Sequence, residues 1–379
     1  MERPRIAILC NFPVWIAKPD FPIFKGHYAT WLPSLYQAFE HNSEQFEIHW
    51  VTLSKDVKKT HRFISGKQYF HVIPRTKKTI GLYTFYISDR RKVAQEIKII
   101  DPQLVHTWGT EDCYGLCGKD FKGLWLHSVQ GLLTAYKQRG QLSRFERHHA
   151  FYEKAVIRAC KNITTESPWA AERVREMSPS STPMLWDYAA EDYFYNIERN
   201  ISDTPTCLYC GSDTPIKNVD CLIKAFSNSR LSHVKLKLAG ISEQQRKNLP
   251  ENIIPLGRIS RDEIAKQMSE AWCLVHPSKA DTGPTVVKEA RVVGLPCIAT
   301  TECGSKQYVD HGHSGFIINP GDVDMLVKCV LHVTENKHKA MQMGSYGQQR
   351  CLDLLSSETM YNKLKDIYTQ TLHKHRTIH

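Results

Sequence analysis

No stretch of this 379-residue chain holds the roughly eighteen consecutive apolar residues that a membrane-spanning helix requires, so the sequence offers no transmembrane segment. The first strand-like run ends in Asn11-Phe12-Pro13 without a G-x-G-x-x-G turn, which argues against a dinucleotide dehydrogenase. Walker A, H-E-x-x-H and G-x-S-x-G motifs are also missing. Met1 to Trp15 has arginines before an apolar run, but no small-residue cleavage site follows, and the stretch reads as a first strand and turn instead of a signal peptide. There is no zinc-finger spacing, no RNP-type strand and no basic helix with interleaved aromatics, so nothing beyond charge supports a nucleic-acid partner. Cysteine is plentiful at twelve, yet Cys207/Cys210 is a lone C-x-x-C and Cys113/Cys117 a helical pair, neither with a second pair at metal-ligand spacing. No metal site is therefore expected. Cys10, Cys207, Cys273 and Cys297 fall in predicted buried strands, which fits free thiols in a reducing cytoplasm better than a disulfide framework.

What is present is a globular composition, 41% hydrophobic and 23% charged, in a chain long enough for two domains of about 190 residues each. Lys and Arg number 50 against 39 Asp and Glu, a net charge of +11, with part of the excess in basic runs at Lys55–Arg62, Arg75–Lys78 and Arg90–Lys92. Such an excess attracts phosphate-bearing substrates or an anionic membrane surface, and is equally compatible with an ordinary solvated face.

The first half reads as a doubly wound α/β domain. Arg5–Asn11 and Phe46–Leu53 are predicted strands flanking a helix at Trp31–Glu40, and Gly26 and His27 sit in the loop before that helix. Leu104–Trp108 and Leu124–Val129 are further strands, ending in Gly109-Thr110-Glu111 and Gln130-Gly131. The cluster Arg144, Arg147, His148 and His149 is read as a solvated basic face preceding a helix at Ala150–Ala159. Periodicity fades between Ser178 and Ser202, which marks a linker.

The second half concentrates its chemistry at the ends of strands. Thr206–Cys210 is a predicted strand, Gly211–Pro215 a loop, Asn218–Phe226 a helix and Val234–Leu238 the next strand. Trp272–Val275 is a short buried strand broken by Pro277, Ser278 and the Asp281-Thr282-Gly283-Pro284 turn. Pro284 suits the first turn of a helix through Thr285–Val293, so the N–H groups of Thr285 and Val286 should point outward as a phosphate-binding helix start. Glu289 lies about one turn further in, a candidate acceptor for ribose or sugar hydroxyls. A second helix start is predicted at Gly304 and Ser305 after the strand Cys297–Ala299, and two such starts would make a diphosphate site.

Asp281 and Glu289 with Pro284 between them resemble the Glu-x7-Glu motif of retaining GT-B glycosyltransferases of family 4, with Asp in the first position. The run Gly294-Leu295-Pro296, Cys297-Ile298-Ala299-Thr300, Gly304-Ser305, Asp310 to Gly315 and Pro320-Gly321-Asp322 is similar to that family in order and spacing. VHTWGTE and SVQGL look like counterparts in the bacterial surface-polysaccharide enzymes of the same family. The resemblance implies two Rossmann-like, doubly wound parallel-sheet domains with an interdomain cleft. They would be an acceptor-side domain over 1–195 and a nucleotide-sugar domain over 204–356, with a C-terminal helix over 357–379 packing back on the first. It implies Lys217, Asp281, Glu289 and Gln130 as catalytic residues. Donor binding would fall to Gly211, Ser212, Gly283, Pro284, Thr285, Val286, Arg258, Gly304 and Ser305, and the acceptor side to Gly26, His27 and Glu111.

This sequence departs from the family in having Ser212 where relatives carry Arg and Gln130 where many carry His; Lys288, Lys306 or a residue of the other domain are the candidate replacement cations, among which the sequence does not choose. The implied reaction is transfer of a sugar from a UDP- or GDP-linked donor to a hydroxyl of a glycan or lipid-linked acceptor, without metal or other cofactor. The implied setting is cell-surface polysaccharide synthesis in the cytoplasm, on the inner face of the membrane. A weakened nucleotide-sugar-binding or scaffolding subunit, or an epimerase or phosphorylase on the same fold, are the alternatives.

Overall fold

The computed structural model describes residues 3–23, 29–110, 112–139 and 142–378. The chain divides into two compact units. The first comprises Met1–Lys137, Leu142–Asp187 and Met360–His379, and the second is chiefly Tyr188–Thr359.

The first unit is built on eight strands: β1 (Arg5–Leu9), β2 (Glu47–Ser54), β3 (His61–Ser65), β4 (Gln68–Pro74), β5 (Leu104–Trp108), β6 (Trp125–Val129), β7 (Asn162–Thr165) and β8 (Met184–Leu185). Their order is β3-β4-β2-β1-β5-β6-β7-β8, all neighbours parallel except the β3–β4 pair. From β1 the chain winds outward through β2 and β4, then returns to the other side of β1 as β5, with Ile6 level with Ile48 on one side and Leu104 on the other. That reversal between β1 and β5 is where an open parallel sheet leaves a crevice beyond its carboxyl ends. Ile6, Ala7, Ile8 and Leu9 are fully buried, as expected for a strand covered on both faces.

Three sequence expectations change here. The basic cluster does not precede a helix but opens it: the helix runs Arg144–Ala159, fixed by a capping box between Ser143 and Glu146. His149 within it is buried and its Nε2 lies 2.9 Å from Tyr86 Oη, so it is no part of a solvated face. The stretch read as a linker is packed. Trp186 is buried and donates to the Met360 carbonyl at 2.9 Å in the first unit, whereas Ala190 and Phe194 enter the second unit's core. The division therefore falls after Asp187, and residues 188–195 go with the second unit. Irregular spacing of these apolar residues hid their burial. The last helix, Ser357–Ile378, buries Met360, Leu364 and Tyr368. Tyr368 Oη meets His106 Nδ1 at 2.7 Å.

The second unit has six parallel strands: β9 (Thr206–Cys210), β10 (Lys235–Ala239), β11 (Ile253–Gly257), β12 (Cys273–His276), β13 (Cys297–Thr300) and β14 (Gly315–Ile318), in the order β11-β10-β9-β12-β13-β14. Alternation with period two separates two cores. Cys207 and Tyr209 of β9 join Leu236, Leu238, Cys273 and Val275 on one face. Leu208 joins Ala239, Leu274, Cys297 and Ala299 on the other. Helices cover both faces, which is why the strand sequences are apolar throughout. The strand order reverses between β9 and β12, so here too the carboxyl ends of two adjacent central strands open onto one crevice.

Candidate active site

The loops after β9 and β12 supply the site of the second unit. Gly211 continues β9 by donating its N–H to Ala239 O at 3.0 Å, and the chain then makes a short 3-10 turn, Pro215–Lys217. The next strand's turn must pass very close. A Cβ on Gly240 would lie 2.3 Å from the Gly211 carbonyl oxygen, and its φ of +94° independently favours glycine. Asn218 adopts a left-handed conformation, φ +58°, that ends the 3-10 turn and starts the helix Val219–Phe226. Its side chain donates to Pro277 O at 3.1 Å, and Lys279 N–H donates to Ile216 O at 2.8 Å, so the two loops are tied together.

That tie brings Lys217 to Asp281. The Lys217 ammonium donates to Asp281 Oδ2 at 2.5 Å, and His276 Nε2 lies 3.1 Å from the same oxygen. Burial pushes the Asp281 carboxyl up, but Lys217 and His276 together outweigh it and hold the group well below the usual carboxylate range. Burial first, and Lys217 as well, holds His276 below its ordinary value despite Asp281. An ionised carboxylate only accepts, so a neutral His276 presents its Nε2 proton to Asp281. Ser278 Oγ sits 2.9 Å from that nitrogen, and its carbonyl accepts from Thr300 Oγ1 at 2.7 Å. The sequence assigned His276 and Ser278 no role in the site, although they bracket Pro277 at the end of the strand.

The helix Thr285–Val293 starts beside this pair and stops at Gly294, φ +83°. Pro284 is its N-cap, one position earlier than predicted, and Val287 N–H closes back on the Pro284 carbonyl at 3.1 Å. The N–H groups of Thr285 and Val286 thus lie in the first turn, where no earlier helical carbonyl accepts them. The second predicted helix start is corrected. Gly304–Tyr308 is a five-residue 3-10 turn. Gly304 N–H is committed to Asp281 O at 2.8 Å, and Ser305 Oγ to Pro284 O at 3.2 Å. These two residues brace the Asp281 loop and the helix start instead of forming a second anion site. The buried Gly283 lies between the braced positions.

Glu289, buried at 2% exposure, accepts from Arg261 Nη2 at 2.6 Å. The same guanidinium binds Glu191 and lies 4.6 Å from the Phe194 ring centroid. Burial raises the Glu289 carboxyl above its ordinary value, with Arg261 opposing. Arg261 opens the helix Arg261–Glu270 behind the Ser260 cap. The sequence pointed instead to Arg258, which is exposed just past β11. Of the other cations considered, Lys288 is fully buried with its ammonium 5.5 Å from the Tyr188 ring, and Lys306 donates to Thr301 O. Neither fills the place of the missing Arg. Ser212 is exposed, with its hydroxyl 3.3 Å from Thr214 Oγ1.

Gln130 belongs to the first unit, where it lines a cavity of about 420 Å³ beyond the ends of β1, β5 and β6. The loop holding it is fixed by Glu153, a buried carboxylate that accepts from Leu133 N–H, Thr134 N–H and Thr110 Oγ1, each at 2.8 Å. Gly26, His27 and Glu111 lie outside the described residues. Among the described residues no group of three or more His, Cys, Asp or Glu could hold a metal, and no helix is long and apolar enough to cross a membrane. All twelve cysteines are free; Cys207 and Cys273, on neighbouring strands, have their sulfurs 3.3 Å apart.

Two parallel-sheet units, the second with paired acidic and basic groups at its strand ends, define the GT-B fold. Residues 195–350, within the second unit, match the family described as glycosyl transferases group 1. The chain is 24% identical to an uncharacterized glycosyltransferase of Methanocaldococcus jannaschii over 293 residues, 74% of this chain and 78% of the relative. The solved sucrose-phosphate synthase of Thermosynechococcus elongatus aligns with a TM-score of 0.76 at 19% identity, covering 98% of this chain and all of the other. HepE of Anabaena, solved in complex with UDP-glucose, aligns with a TM-score of 0.69 at 13% identity over 97% of this chain and all of its own.

Proposed function

We propose that this protein is a retaining glycosyltransferase that moves a hexosyl group from a UDP- or GDP-linked sugar to a hydroxyl of a glycan or lipid-linked acceptor. The observation that carries the reading is the meeting of Lys217, Asp281 and the helix start at Thr285 within one braced loop pair. A departing nucleoside diphosphate gains negative charge as the glycosidic bond breaks. Lys217 and the N–H groups of Thr285 and Val286 are preorganised donors for it, the kind of electrostatic support that dominates such reactions. Asp281, held ionised at neutral pH, cannot serve as a proton donor. It orients Lys217 and accepts hydrogen bonds from hydroxyls of the transferred sugar. Glu289 is the acceptor for the ribose hydroxyls, and Arg261 stabilises its charge. With these protein donors in place the reaction has no need of a metal ion. The family-4 resemblance of the Asp281–Glu289 spacing supports retention, and the same resemblance gives Gln130 a catalytic role. The reading puts the work in cell-surface polysaccharide synthesis at the cytoplasmic face of a membrane; the same resemblance supports the first, and a net charge of +11, which anionic lipids attract, supports the second.

The test is turnover of a panel of UDP- and GDP-sugars by the purified chain, read as transfer or donor hydrolysis. Lys217→Ala and Glu289→Ala should abolish most of it, and the product should keep the donor's anomeric configuration. Exposed Ser212, in the place of a cation, favours one second reading, a nucleotide-sugar-binding subunit with weakened catalysis. Tight nucleotide-sugar binding with no turnover across donors and acceptors would establish that reading and sink the first.

A further inference from the structure

The first unit holds an apolar patch out into solvent. Among the large hydrophobic residues described, Tyr83 and Phe151 are the two most exposed, at 73% and 69%, and Phe85 keeps 54%. They form one face. The Phe85 and Phe151 rings lie 5.5 and 6.0 Å from the ring of Tyr152 between them, and Tyr83 lies 6.2 Å from His148, about one turn before Phe151. Exposed Ile80 extends the patch, three residues from Tyr83 on the short helix Lys78–Tyr83.

The backbone enforces this exposure. Phe85 and Tyr86 are consecutive left-handed residues, φ +52° and +54°, a conformation that bulky side chains rarely adopt. Tyr86 N–H closes on Gly81 O at 2.6 Å, and Tyr86 Oη meets His149 Nε2 at 2.9 Å. The buried Tyr86 ring packs on Gly81, where a Cβ would come within 2.6 Å of it. Turning Tyr86 inward turns Phe85 outward. A turn strained so as to keep a phenyl ring in water points to a task for that ring.

Cations flank the patch. The exposed side of the helix Arg144–Ala159 carries Arg144, Arg147, Phe151 and Lys154 at steps of three, four and three, so Phe151 stands between two positive charges. Arg144, Arg147 and Lys154 meet no acidic side chain among the described residues. On the same helix Glu146 is held by the Ser143 N–H at 2.7 Å, and Glu153 is buried. An aromatic patch beside unpaired cations matches the surface of an anionic bilayer, where such rings settle among headgroups and Lys and Arg meet lipid phosphates. It suits a second copy of the chain poorly, because a two-fold contact presses this basic stripe against itself.

We propose that this face docks the protein on an anionic lipid bilayer, with Tyr83, Phe85 and Phe151 entering the headgroup layer and Arg147 and Lys154 pairing with lipid phosphates. The proposal rests on the membrane setting of the reading above and names the surface that meets the membrane; the transfer chemistry is independent of it. Cosedimentation of the full chain with vesicles of phosphatidylcholine, with and without phosphatidylglycerol, tests it. The chain should bind the anionic vesicles and bind the neutral ones far more weakly. Arg147→Gln/Lys154→Gln should weaken that binding about thirty-fold, from the attraction of an anionic surface for two cations. Tyr83→Ser/Phe151→Ser should weaken it at least about ten-fold, from the lost burial of two rings. Both pairs are exposed, so thermal melting and UDP binding should stay as in the parent chain. No binding to anionic vesicles, equal binding to both kinds, or binding that survives either double variant would overturn the proposal. A dimer in sedimentation velocity that Tyr83→Ser/Phe151→Ser dissociates would overturn it too and give the patch to a second copy. Donor turnover with a water-soluble acceptor is measured in parallel, and its absence counts against the transferase reading alone.

Discussion

Each unit places an aspartate against a cation at the carboxyl ends of its central strands, Asp112 with Arg75 in the first and Asp281 with Lys217 in the second. The settings differ in what surrounds the pair. Asp112 and Arg75 are both deeply covered, at 11% and 14% exposure, and three further cations line the cavity beside them. Lys217 keeps 26% exposure and stands beside a helix start, while the neighbouring Glu289 and Glu191 share Arg261. The first unit's pair is therefore closed over, whereas the second's stands partly open beside a set of linked ion pairs. The lesson is that similar sheets present similar crevices, and that side chains on the loops decide which charge each crevice seeks.

The comparison breaks most severely if the Asp112–Arg75 pair is not structural. Asp112→Ala leaves a buried guanidinium without its partner and should cost about 3–5 kcal/mol in urea unfolding. A loss under about 1 kcal/mol would show that the pair belongs to ligand binding instead.

Acid should separate the units next. Burial lowers His127 to about 3 and His149 to about 4, and holds His106, His49 and His71 below their ordinary value too, all in the first unit. In the second unit burial lowers His276. A histidine depressed on folding binds its proton more readily when unfolded. Its stabilisation is complete above about pH 6.5 and falls by about 1.4 kcal/mol per pH unit until its folded value is reached. Asp281 and Asp112 are depressed carboxylates, whose contribution persists until the pH drops below the unfolded value of about 3.9. Hydrogen exchange followed by mass spectrometry between pH 7 and 4.5 should thus show the first unit losing protection ahead of the second. Equal losses would erase the distinction.

Smaller effects sharpen the donor site. Lys217→Ala should lower the maximal transfer rate about ten- to a hundred-fold, as expected from losing a charge-assisted hydrogen bond worth about 1.5–3 kcal/mol to the leaving group. An unchanged rate with weaker donor binding would make Lys217 a binding group only. Ser212→Arg restores a cation in an exposed position and should raise the rate by up to about ten-fold, or about 1.4 kcal/mol. No gain would mean that Arg261 or the helix start already supplies that charge.

Much of the second unit was legible because its signals are local. Apolar tetrads and pentads bounded by Gly and Pro gave β9, β12 and β13 nearly to the residue, and the helix Thr285–Val293 announced both its start and its glycine stop. Lys217, Asp281 and the Thr285 helix start were legible as a set because family spacing marked them. Arg261 and Glu191 were not, since each acts through a contact between separate segments; His276 was not because its contacts with Ser278 and Asp281 depend on how the loop after Pro277 turns back. In the first unit Asp112, Arg75 and Glu153 escaped for the same reason, and the buried His149 was misread because helix Arg144–Ala159 has charge on most of its turns.

The sequence by itself determined the strands, the helix starts and the chemistry available at the strand ends, because backbone periodicity and Gly or Pro punctuation act over a few residues. Only the tertiary structure decided which charges meet. Lys217 finds Asp281 across 64 positions, and Arg261 finds Glu289 across 28. Those pairings are set by the loops that parallel strands bring side by side, and no spacing rule along the chain encodes them. The same holds for the first unit's crevice, whose lining is assembled from the ends of β1, β2 and β4.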